Sequence, residues 1–366
     1  MKIGITTGDL NGIGPEVILK AISNNYHLDQ HSVVIYGSGK VMAYHKNIVD
    51  NIDINFSNVS TAEHPQKGRV SVVNCWNEDI NIVLGKATPE AGQFAHVALD
   101  RAVNDLKAGY IDVLVTAPIN KHTMDEHSFP FGGHTEYLTD AFGKSQSLMM
   151  MVSGDLKIAV ATNHIPVAEV KNHFTKELLM KKINLFYHSL KKDFGKEKPM
   201  IAILGMNPHA GDNGRIGTEE EEIIRPTIIE LKKKGVMVFG PYSADGFFGS
   251  SQFRKFDGIL AMYHDQGLIP FKTLSFGKGI NFTAGLPIIR TSPDHGTGYD
   301  IAGENKADES SMREAIFLAM DVYEHRKNTQ EIIDKREAET AKHVTPKLVK
   351  DKPEPAKVDE SVEIND

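Results

Sequence analysis

The most constraining feature of this sequence is a series of short apolar segments that alternate with amphipathic segments of helical period. The apolar segments are KIGITTG from Lys2, SVVIYG from Ser32, RVSVVN from Arg69, DVLVTAP from Asp112, SLMMMVSG from Ser147, KIAVATNH from Lys157, MIAILGMNP from Met200, VMVFGP from Val236 and GILAMYHDQG from Gly258. Several are apolar at nearly every position, which is typical of strands covered on both faces. The alternation predicts an α/β protein with a mainly parallel sheet.

The segments between the strands carry helix start and end signals. GPEVILKAISN places Pro15 in a first helical turn, where its missing N–H has no cost. Residues 93–108 and 176–194 have apolar positions at helical spacing. Residues 218–234 open with glutamates and close with lysines, which suits the dipole of a helix.

Composition narrows the classes of protein and partner. A chain of 366 residues, 40% hydrophobic and 24% charged, is long enough for roughly two globular domains. Its formal net charge of -7 argues against nucleic acid or an anionic membrane as a partner. One cysteine, Cys75, cannot form an internal disulfide, and no apolar run approaches the ~20 residues of a membrane span. We therefore expect a cytoplasmic protein with no membrane association.

The composition changes at about Arg326. Residues 327–366 are highly charged, contain three prolines and lack aromatic residues. Such a segment cannot bury enough apolar surface to order itself, so we predict a disordered tail whose first part extends the preceding helix.

Three histidines follow predicted strands: His164, His209 and His264. Ligands in open α/β sheets gather beyond the carboxyl ends of strands, so these imidazoles could converge on Zn²⁺ or a related divalent ion. They share no local ligand motif. Because the chain has 16 histidines, the alternative that they are hydrogen-bonded packing or surface residues stays open.

Two stretches are candidates for binding an anion. FGGHTEYL places His134 and Thr135 at the start of a predicted helix, where Thr135 either helps to bind an anion or simply caps the helix. The stretch from 270 to 292 supplies Lys272, Asn281 and Arg290 as a cradle for an oxyanion, although a surface lysine is an equally good interpretation of Lys272.

The glycine-rich stretches do not support a Rossmann cofactor site. GDLNGIGPE at residues 8–16 follows a strand and opens a helix, but the GxGxxG spacing is absent, and GSGK at residues 37–40 is not a P-loop. The residues alone therefore indicate an α/β enzyme with a histidine-lined metal site and an anionic substrate.

An ordered series of motifs extends this interpretation. These are GDLNGIGPE, APINK, GGHTEYL, NPHAGDNGRIGTEE, GPYSAD, YHDQG, PFK, GINFTAGLPIIRTS and DHGTGYDIAG. Their order and spacing over about residues 1–326 resemble the 4-hydroxythreonine-4-phosphate dehydrogenase family of pyridoxal phosphate biosynthesis. The sequence departs from the family's usual residues at Leu10, Asn11, Asp212 and Gly246, which puts the substrate preference in doubt.

The resemblance implies an isocitrate/isopropylmalate dehydrogenase-like fold that binds NAD or NADP without a Rossmann motif. It implies two α/β/α domains, residues 1–127 with 285–326 and residues 128–284, with the active site in the cleft between them. It also implies a homodimer in which one divalent ion (Zn, Mg or Co) is bound by His164, His209 and His264 contributed by both subunits.

The resemblance also implies roles for individual residues. A small phosphorylated substrate would contact five positions: His134, Thr135, Lys272, Asn281 and Arg290. The dinucleotide would lie by the loop of residues 294–300, at Asp294, Gly296 and Asp300. Lys121 of APINK and Asp265 are the candidates for the proton acceptor.

The implied reaction is oxidation of 4-phosphooxy-L-threonine at C3, followed by decarboxylation to 3-amino-2-oxopropyl phosphate. A first alternative keeps the fold but takes a four-carbon sugar acid phosphate, erythronate or threonate 4-phosphate. A second alternative is a metal-dependent phosphotransferase or acyltransferase of the same fold, which would produce no NADH.

Overall fold

The computed structural model describes residues 1–23, 25–50, 52–124, 129–144 and 146–343. The chain divides into two units, Met1–Lys327 and Asn328–Asp366. All strands among the described residues lie in the first unit. They are β1 Lys2–Thr6, β2 Ser32–Gly37, β3 Phe56–Val59, β4 Val70–Asn74, β5 Val113–Thr116, β6 Leu148–Ser153, β7 Leu156–Val160, β8 Ile201–Leu204, β9 Val238–Tyr242, β10 Gly258–Ala261, β11 Ile280–Ala284 and β12 Arg290–Pro293.

These strands form one sheet in the order β3-β4-β2-β1-β5-β12-β11-β6-β7-β10-β8-β9. Neighbours run parallel except at the middle of the sheet, where β12 with β11, β11 with β6, and β6 with β7 are antiparallel. The predicted α/β fold with a mainly parallel sheet is confirmed. Strands of the two predicted domains occupy separate halves of the order, but the division into domains stays a prediction.

The apolar strands are covered by helices. The described helices are α1 Gly14–Ile22, α2 Gly39–Lys46, α3 Pro89–Lys107, α4 His134–Ala141, α5 Val170–His173, α6 Lys176–Lys192, α7 Arg225–Lys233, α8 Ala244–Gly249, α9 His264–Ser275 and α10 Ser310–His343. Local sequence explains several starts, because the Thr88 and Thr175 side chains cap α3 and α6 by accepting hydrogen bonds from Ala91 N–H and Leu178 N–H. A π-helical turn, Glu220–Ile224, precedes α7.

The structure differs from the sequence predictions of local structure in one strand end and in strands that were missed. The segment predicted as one strand from Gly258 ends at Ala261, and His264 is the first residue of α9 rather than the end of a strand. Strands β3, β11 and β12 were not predicted. The residues of β3, FSNV, are half polar and lie at the edge of the sheet.

The C-terminal segment is helical up to His343, where α10 ends. The first part of the predicted tail therefore does extend the preceding helix. Residues 344–366, for which disorder was predicted, lie outside the described residues. Among the described helices, none combines the length and the apolar character needed to cross a membrane.

Candidate active site

A cavity of about 210 Å³ lies over the middle of the sheet, where the strand direction reverses. It is lined by residues that follow β5 and β7, by the start of α4, and by β11 and β12. Seven predicted site residues line it: Lys121, His134, Thr135, His164, Asn281, Arg290 and Gly296. The fold thus brings together positions from separate sequence motifs.

Arg290 is the most unusual residue of the cavity. Its side chain is 2% exposed, and its guanidinium donates to the Thr116 hydroxyl at 2.7 and 3.0 Å and to the Thr283 hydroxyl at 3.3 Å. Among the described residues, no carboxylate lies within 4.0 Å of it. Burial lowers the pKa of Arg290 to about 10, so the side chain is still a cation at neutral pH.

A buried cation with only neutral partners is costly, because hydroxyl groups replace only part of its lost hydration. Most buried arginines avoid this cost by pairing with a carboxylate. Since Arg290 lines the cavity, an anion that enters the cavity would supply the missing charge. The electrostatics of the cavity therefore favour a phosphate or carboxylate ligand.

His134 begins α4 beside this cation. Burial, with the positive charges of Arg290 and Lys121, lowers the pKa of His134 well below its usual value. The imidazole is therefore neutral at physiological pH. Its Nε2 atom is buried and has no hydrogen-bond partner among the described residues, which leaves one ring nitrogen for a ligand.

Further polar atoms of the cavity also lack partners. The Oδ1 atoms of Asn163 and Asn281 and the Nε2 atom of His295 are buried and form no hydrogen bond within the described part of the chain. All three residues line the cavity. Because buried polar groups are rarely left without partners, these atoms mark positions that a bound ligand or water would satisfy.

The start of α4 settles one question about Thr135. The residue before the helix is Gly133, and its first helical residues are His134 and Thr135. The alternative in which Thr135 caps this helix is therefore wrong. Thr135 instead lies in the first turn and lines the cavity, where the backbone N–H groups of the helix carry partial positive charge.

His164 and His264 lie close together, with ring centroids 5.7 Å apart. They follow β7 and β10, which are adjacent parallel strands. The Nδ1 atom of His264 lies 2.7 Å from Asp265 Oδ1, and that of His164 lies 3.8 Å from Glu136 Oε1. Each ring therefore has a carboxylate on its Nδ1 side, an arrangement that leaves Nε2 available and is common around metal-binding histidines.

His209 does not join this pair. It is exposed on the turn that follows β8. Within the described residues of one chain, no three His, Cys, Asp or Glu side chains are grouped closely enough to hold a metal ion. The fold thus brings two of the three predicted ligands together and leaves the third apart.

Lys272 and Asp294, predicted for substrate and cofactor, contact each other. Lys272 Nζ lies 3.2 Å from Asp294 Oδ1, and Lys272 is 55% exposed. Burial raises the pKa of Asp294, an effect that the charge of Lys272 opposes. Gly279 has to be glycine here, because a Cβ atom would lie 2.7 Å from Asp294 Oδ2. Neither the Lys272 side chain nor the Asp294 side chain lines the cavity.

The predicted cofactor loop, residues 294–300, packs against the first sequence motif. The N–H of Ile13 donates to Thr297 O at 2.8 Å, and the Tyr299 hydroxyl donates to Asp9 Oδ2 at 2.6 Å. The Asn120 side chain donates to the same hydroxyl at 3.2 Å. Of the predicted cofactor residues, Gly296 lines the cavity, whereas Asp300 is exposed and lies outside its lining.

Sequence reasoning missed several residues that shape this site. Thr116 and Thr283 hold Arg290, Glu136 approaches His164, and Asp9 with Asn120 holds Tyr299. Asp9, Glu136 and Asn120 lie inside motifs of the ordered series, so their motif positions were an available signal. Thr283 also lies inside a motif, GINFTAGLPIIRTS, whereas Thr116 is an ordinary strand residue that no sequence signal distinguishes.

Comparison with known proteins identifies the family. A family model described as pyridoxal phosphate biosynthetic protein PdxA matches residues 29–319. The chain belongs to the PdxA family. A 4-hydroxythreonine-4-phosphate dehydrogenase of Bacteroides thetaiotaomicron is 51% identical over 327 residues, which is 89% of this chain and 90% of that protein.

Solved structures share the fold of this PdxA family member. A crystal structure of 4-hydroxythreonine-4-phosphate dehydrogenase from Klebsiella pneumoniae has a TM-score of 0.77 and 33% identity, covering 88% of this chain and 98% of that one. A relative from Oceanobacillus iheyensis, named putative D-threonate 4-phosphate dehydrogenase, is 37% identical, and the match covers 87% of this chain and 97% of that protein. The family therefore contains relatives named for two different four-carbon phosphates.

Proposed function

We propose that this chain is an NAD- or NADP-dependent dehydrogenase that oxidises 4-hydroxythreonine 4-phosphate in pyridoxal phosphate biosynthesis. Membership of the PdxA family and the names of its relatives support this reaction. The structural observation that carries it is the buried guanidinium of Arg290, which lines the cavity with only hydroxyl partners. A phosphorylated amino acid supplies the anion that this cation lacks.

Substrate binding follows from the atoms left without partners. The fork of Arg290 can bind an oxyanion with two parallel hydrogen bonds, and the neutral His134 offers its Nε2 atom beside it. Asn281 and Thr135 are the other predicted substrate-binding residues that line the cavity. Lys272 would join them by breaking its ion pair with Asp294 and forming one with the substrate's phosphate.

The reaction removes a hydride and a proton from the C3 alcohol and then carbon dioxide from the resulting β-keto acid. A proton replaces the lost carboxyl group at C2, which gives 3-amino-2-oxopropyl phosphate. When bound, the dinucleotide accepts the hydride, and a divalent ion polarises the C3 oxygen. We assign Lys121 as the acceptor of the hydroxyl proton, because it lines the cavity next to His134. Asp265 lies outside the cavity and holds the Nδ1 side of His264, so its proposed role is to orient that ring.

The residues present fit a divalent ion in part. His164 and His264 offer two neighbouring imidazoles, each with a carboxylate on the Nδ1 side. The third predicted ligand, His209, is exposed and distant from this pair, so it would come from a second copy of the chain in a homodimer. Imidazole ligands favour Zn²⁺ or Co²⁺, whereas Mg²⁺ prefers oxygen.

The dinucleotide would lie along residues 294–300. Gly296 and His295 line the cavity, and the buried Nε2 atom of His295 has no partner among the described residues. The hydrogen bonds from Ile13 and Tyr299 hold this loop against the first motif, GDLNGIGPE. A dinucleotide bound along this loop would not require a Rossmann turn. Comparing the reduction of NAD with that of NADP distinguishes the two dinucleotides.

The test measures reduction of NAD and of NADP by the purified protein. We expect absorbance at the NADH wavelength to rise with 4-phosphohydroxythreonine and not with threonate or erythronate 4-phosphate, and to be lost after chelation of divalent ions. Arg290→Lys should lower kcat/KM by about 100-fold or more, because lysine keeps the charge but cannot form the same two-pronged contact.

The matched control is Arg254→Gln, which changes an exposed arginine outside the cavity lining and should retain wild-type kinetics. NADH formation only with a sugar acid phosphate would replace the proposed substrate by the one named for the Oceanobacillus relative. No NADH formation with any of the three phosphates would rule out the dehydrogenase itself and leave a transferase of this fold.

A further inference from the structure

The turn that carries His209 has an unusual backbone. Six consecutive residues have positive φ angles: His209 at 53°, Ala210 at 49°, Gly211 at 81°, Asp212 at 42°, Asn213 at 55° and Gly214 at 87°. Only two of them are glycine. In this left-handed region the Cβ atom of an L-residue approaches its own carbonyl group, so such residues normally occur singly. A run of six persists only where its surroundings hold it.

A buried carboxylate lies directly beneath this turn. Glu220 is 0% exposed, and its two oxygens accept hydrogen bonds from Asn207 N–H at 2.7 Å and from Asn207 Nδ2 at 2.9 Å. A Cβ atom on Gly211 would lie 2.7 Å from Glu220 Oε2, and one on Gly205 would lie 3.1 Å from Oε1. The carboxylate thus fills the space between the end of β8 and the turn.

A second carboxylate extends the contact to the surface. Glu219 Oε2 accepts from Asn207 Nδ2 at 2.8 Å and from Thr218 N–H at 3.1 Å, and its Oε1 lies 2.8 Å from Lys171 Nζ. We call Asn207, Glu219 and Glu220 the turn clamp. It joins the residue before the turn to the π-helical turn after it, so both ends of the left-handed segment are held.

A buried carboxylate at position 220 is energetically unfavourable if its role is only to fill space. No cation lies within 4.0 Å of it among the described residues, and the hydrogen bonds that it accepts there come from the amides of a single asparagine. An apolar side chain of similar volume would fill the space without the cost of burying a charge. What an apolar residue could not do is hold Asn207 and the start of the turn in one orientation.

We propose that Glu220 is a positioning residue, which through Asn207 fixes the left-handed turn so that His209 projects outward to complete the metal site of a second copy. The proposal rests on the metal site given under Proposed function. It assigns to Glu220 a role in ligand presentation at a distance from the metal, since its side chain touches neither substrate nor cavity.

The test compares Glu220→Gln with Glu222→Gln in the full-length protein. Glu222 is the matched control, because it is a glutamate two residues away that is exposed and does not contact the turn clamp. Lys171→Ala is a second test variant, since it removes only the outer contact of the clamp from a lysine that is 73% exposed and leaves the core intact.

Two quantities are measured. Hydrogen exchange in the metal-free protein reports the turn itself, through the Ile216 amide, which donates to Gly211 O at 3.0 Å. The dissociation constant of Co²⁺, from its visible absorption in competition with a chelator, reports ligand presentation. For Glu220→Gln we expect exchange at Ile216 to quicken at least about tenfold and the Co²⁺ dissociation constant to rise roughly 10–100-fold. Lys171→Ala should change both in the same direction by less.

Normal Co²⁺ binding and normal exchange in both Glu220→Gln and Lys171→Ala would overturn the role of Glu220. Faster exchange with unchanged Co²⁺ binding would also overturn it, because the clamp would then be structural only. If the wild-type protein binds no Co²⁺, the proposed metal site itself is wrong, a result that the variants cannot mimic.

Discussion

At the scale of single residues, burial decides what the histidines of this chain can do. His134 and His45 are both held neutral because burial lowers the pKa of each ring. His164 and His264 remain partly exposed, with 50% and 35% of their side chains accessible, and each has a carboxylate beside it. The same residue type therefore serves as a neutral hydrogen-bonding group in two places and as a candidate metal ligand in two others.

His45 gives a prediction for stability against pH. Its side chain is 2% exposed, its Nε2 atom lies 3.0 Å from Leu10 O, and burial lowers its pKa from 6.5 to about 4. As the pH falls below 6.5 the unfolded chain takes up the proton first, so stability is lost between pH 6.5 and 4. The loss from this group should approach roughly 3 kcal/mol.

Urea unfolding of wild type and His45→Gln across this pH range measures the effect. Glutamine can donate to the Leu10 carbonyl without titrating, so the variant's free energy of unfolding should fall less steeply below pH 6.5. Parallel pH profiles for the two proteins would show that His45 does not contribute.

At the scale of elements, α10 contacts the end of α6 through Arg326 and through His325, whose Nδ1 atom lies 3.0 Å from Asp193 O. The Arg326 guanidinium lies 2.7 Å from Asp193 Oδ1 and donates to the carbonyl oxygens of Pro287 and Ile288 at 3.0 Å each. The Ser189 hydroxyl donates to the other oxygen of Asp193 at 2.6 Å. These contacts join residues of the two predicted domains next to the segment that connects β11 to β12.

Removing this contact should destabilise the protein. The side chains of Arg326 and Asp193 are 13% and 3% exposed, so Arg326→Gln leaves a buried carboxylate without its cation. We expect the free energy of unfolding to fall by about 3 kcal/mol. Arg313→Gln is the control on the same helix, because its pair with Glu309 is more exposed and should contribute no more than about 0.5 kcal/mol. Equal midpoints of denaturation for the two variants would contradict the assignment.

At the scale of the whole molecule, the proposed metal site is incomplete among the described residues of one chain. The two imidazoles of His164 and His264 have no third His, Cys, Asp or Glu near enough to form a metal site among the residues described. His209 follows β8, the strand next to β10, but it is exposed and is not grouped with the other two histidines. In the dimer proposed above, each copy would supply His209 to the site of the other.

Complementation between variants tests such a shared site. His164→Ala and His209→Ala should each be inactive alone. In a mixed dimer, the chain with His164→Ala would receive the altered His209 position of its partner, so both losses fall in one site. The other site then keeps all three histidines. Co-expression with different affinity tags should restore roughly a quarter of wild-type activity, since half of randomly formed dimers are mixed. Failure of purified mixed dimers to turn over substrate would place all the ligands in one chain.

The sequence by itself determined the α/β class, most strand and helix positions and the motifs that form the site. Those properties depend on hydrophobic periodicity and on capping and turn residues, which act over a few neighbouring positions. This is why the apolar strands, and the helix that begins around Pro15, can be recognised from the order of residues alone. The motif series also pointed to the family that the comparisons establish.

Only the tertiary structure decided which of these residues meet. The pairing of β12 with β5 and β11 brings Thr116 and Thr283 to Arg290 and leaves that cation with no carboxylate within 4.0 Å among the described residues. The order of the strands places His164 beside His264, while the left-handed turn directs His209 elsewhere. Such contacts join residues far apart in the chain. They depend on strand register and on which buried polar groups are left without partners, and neither property can be read from a local sequence pattern.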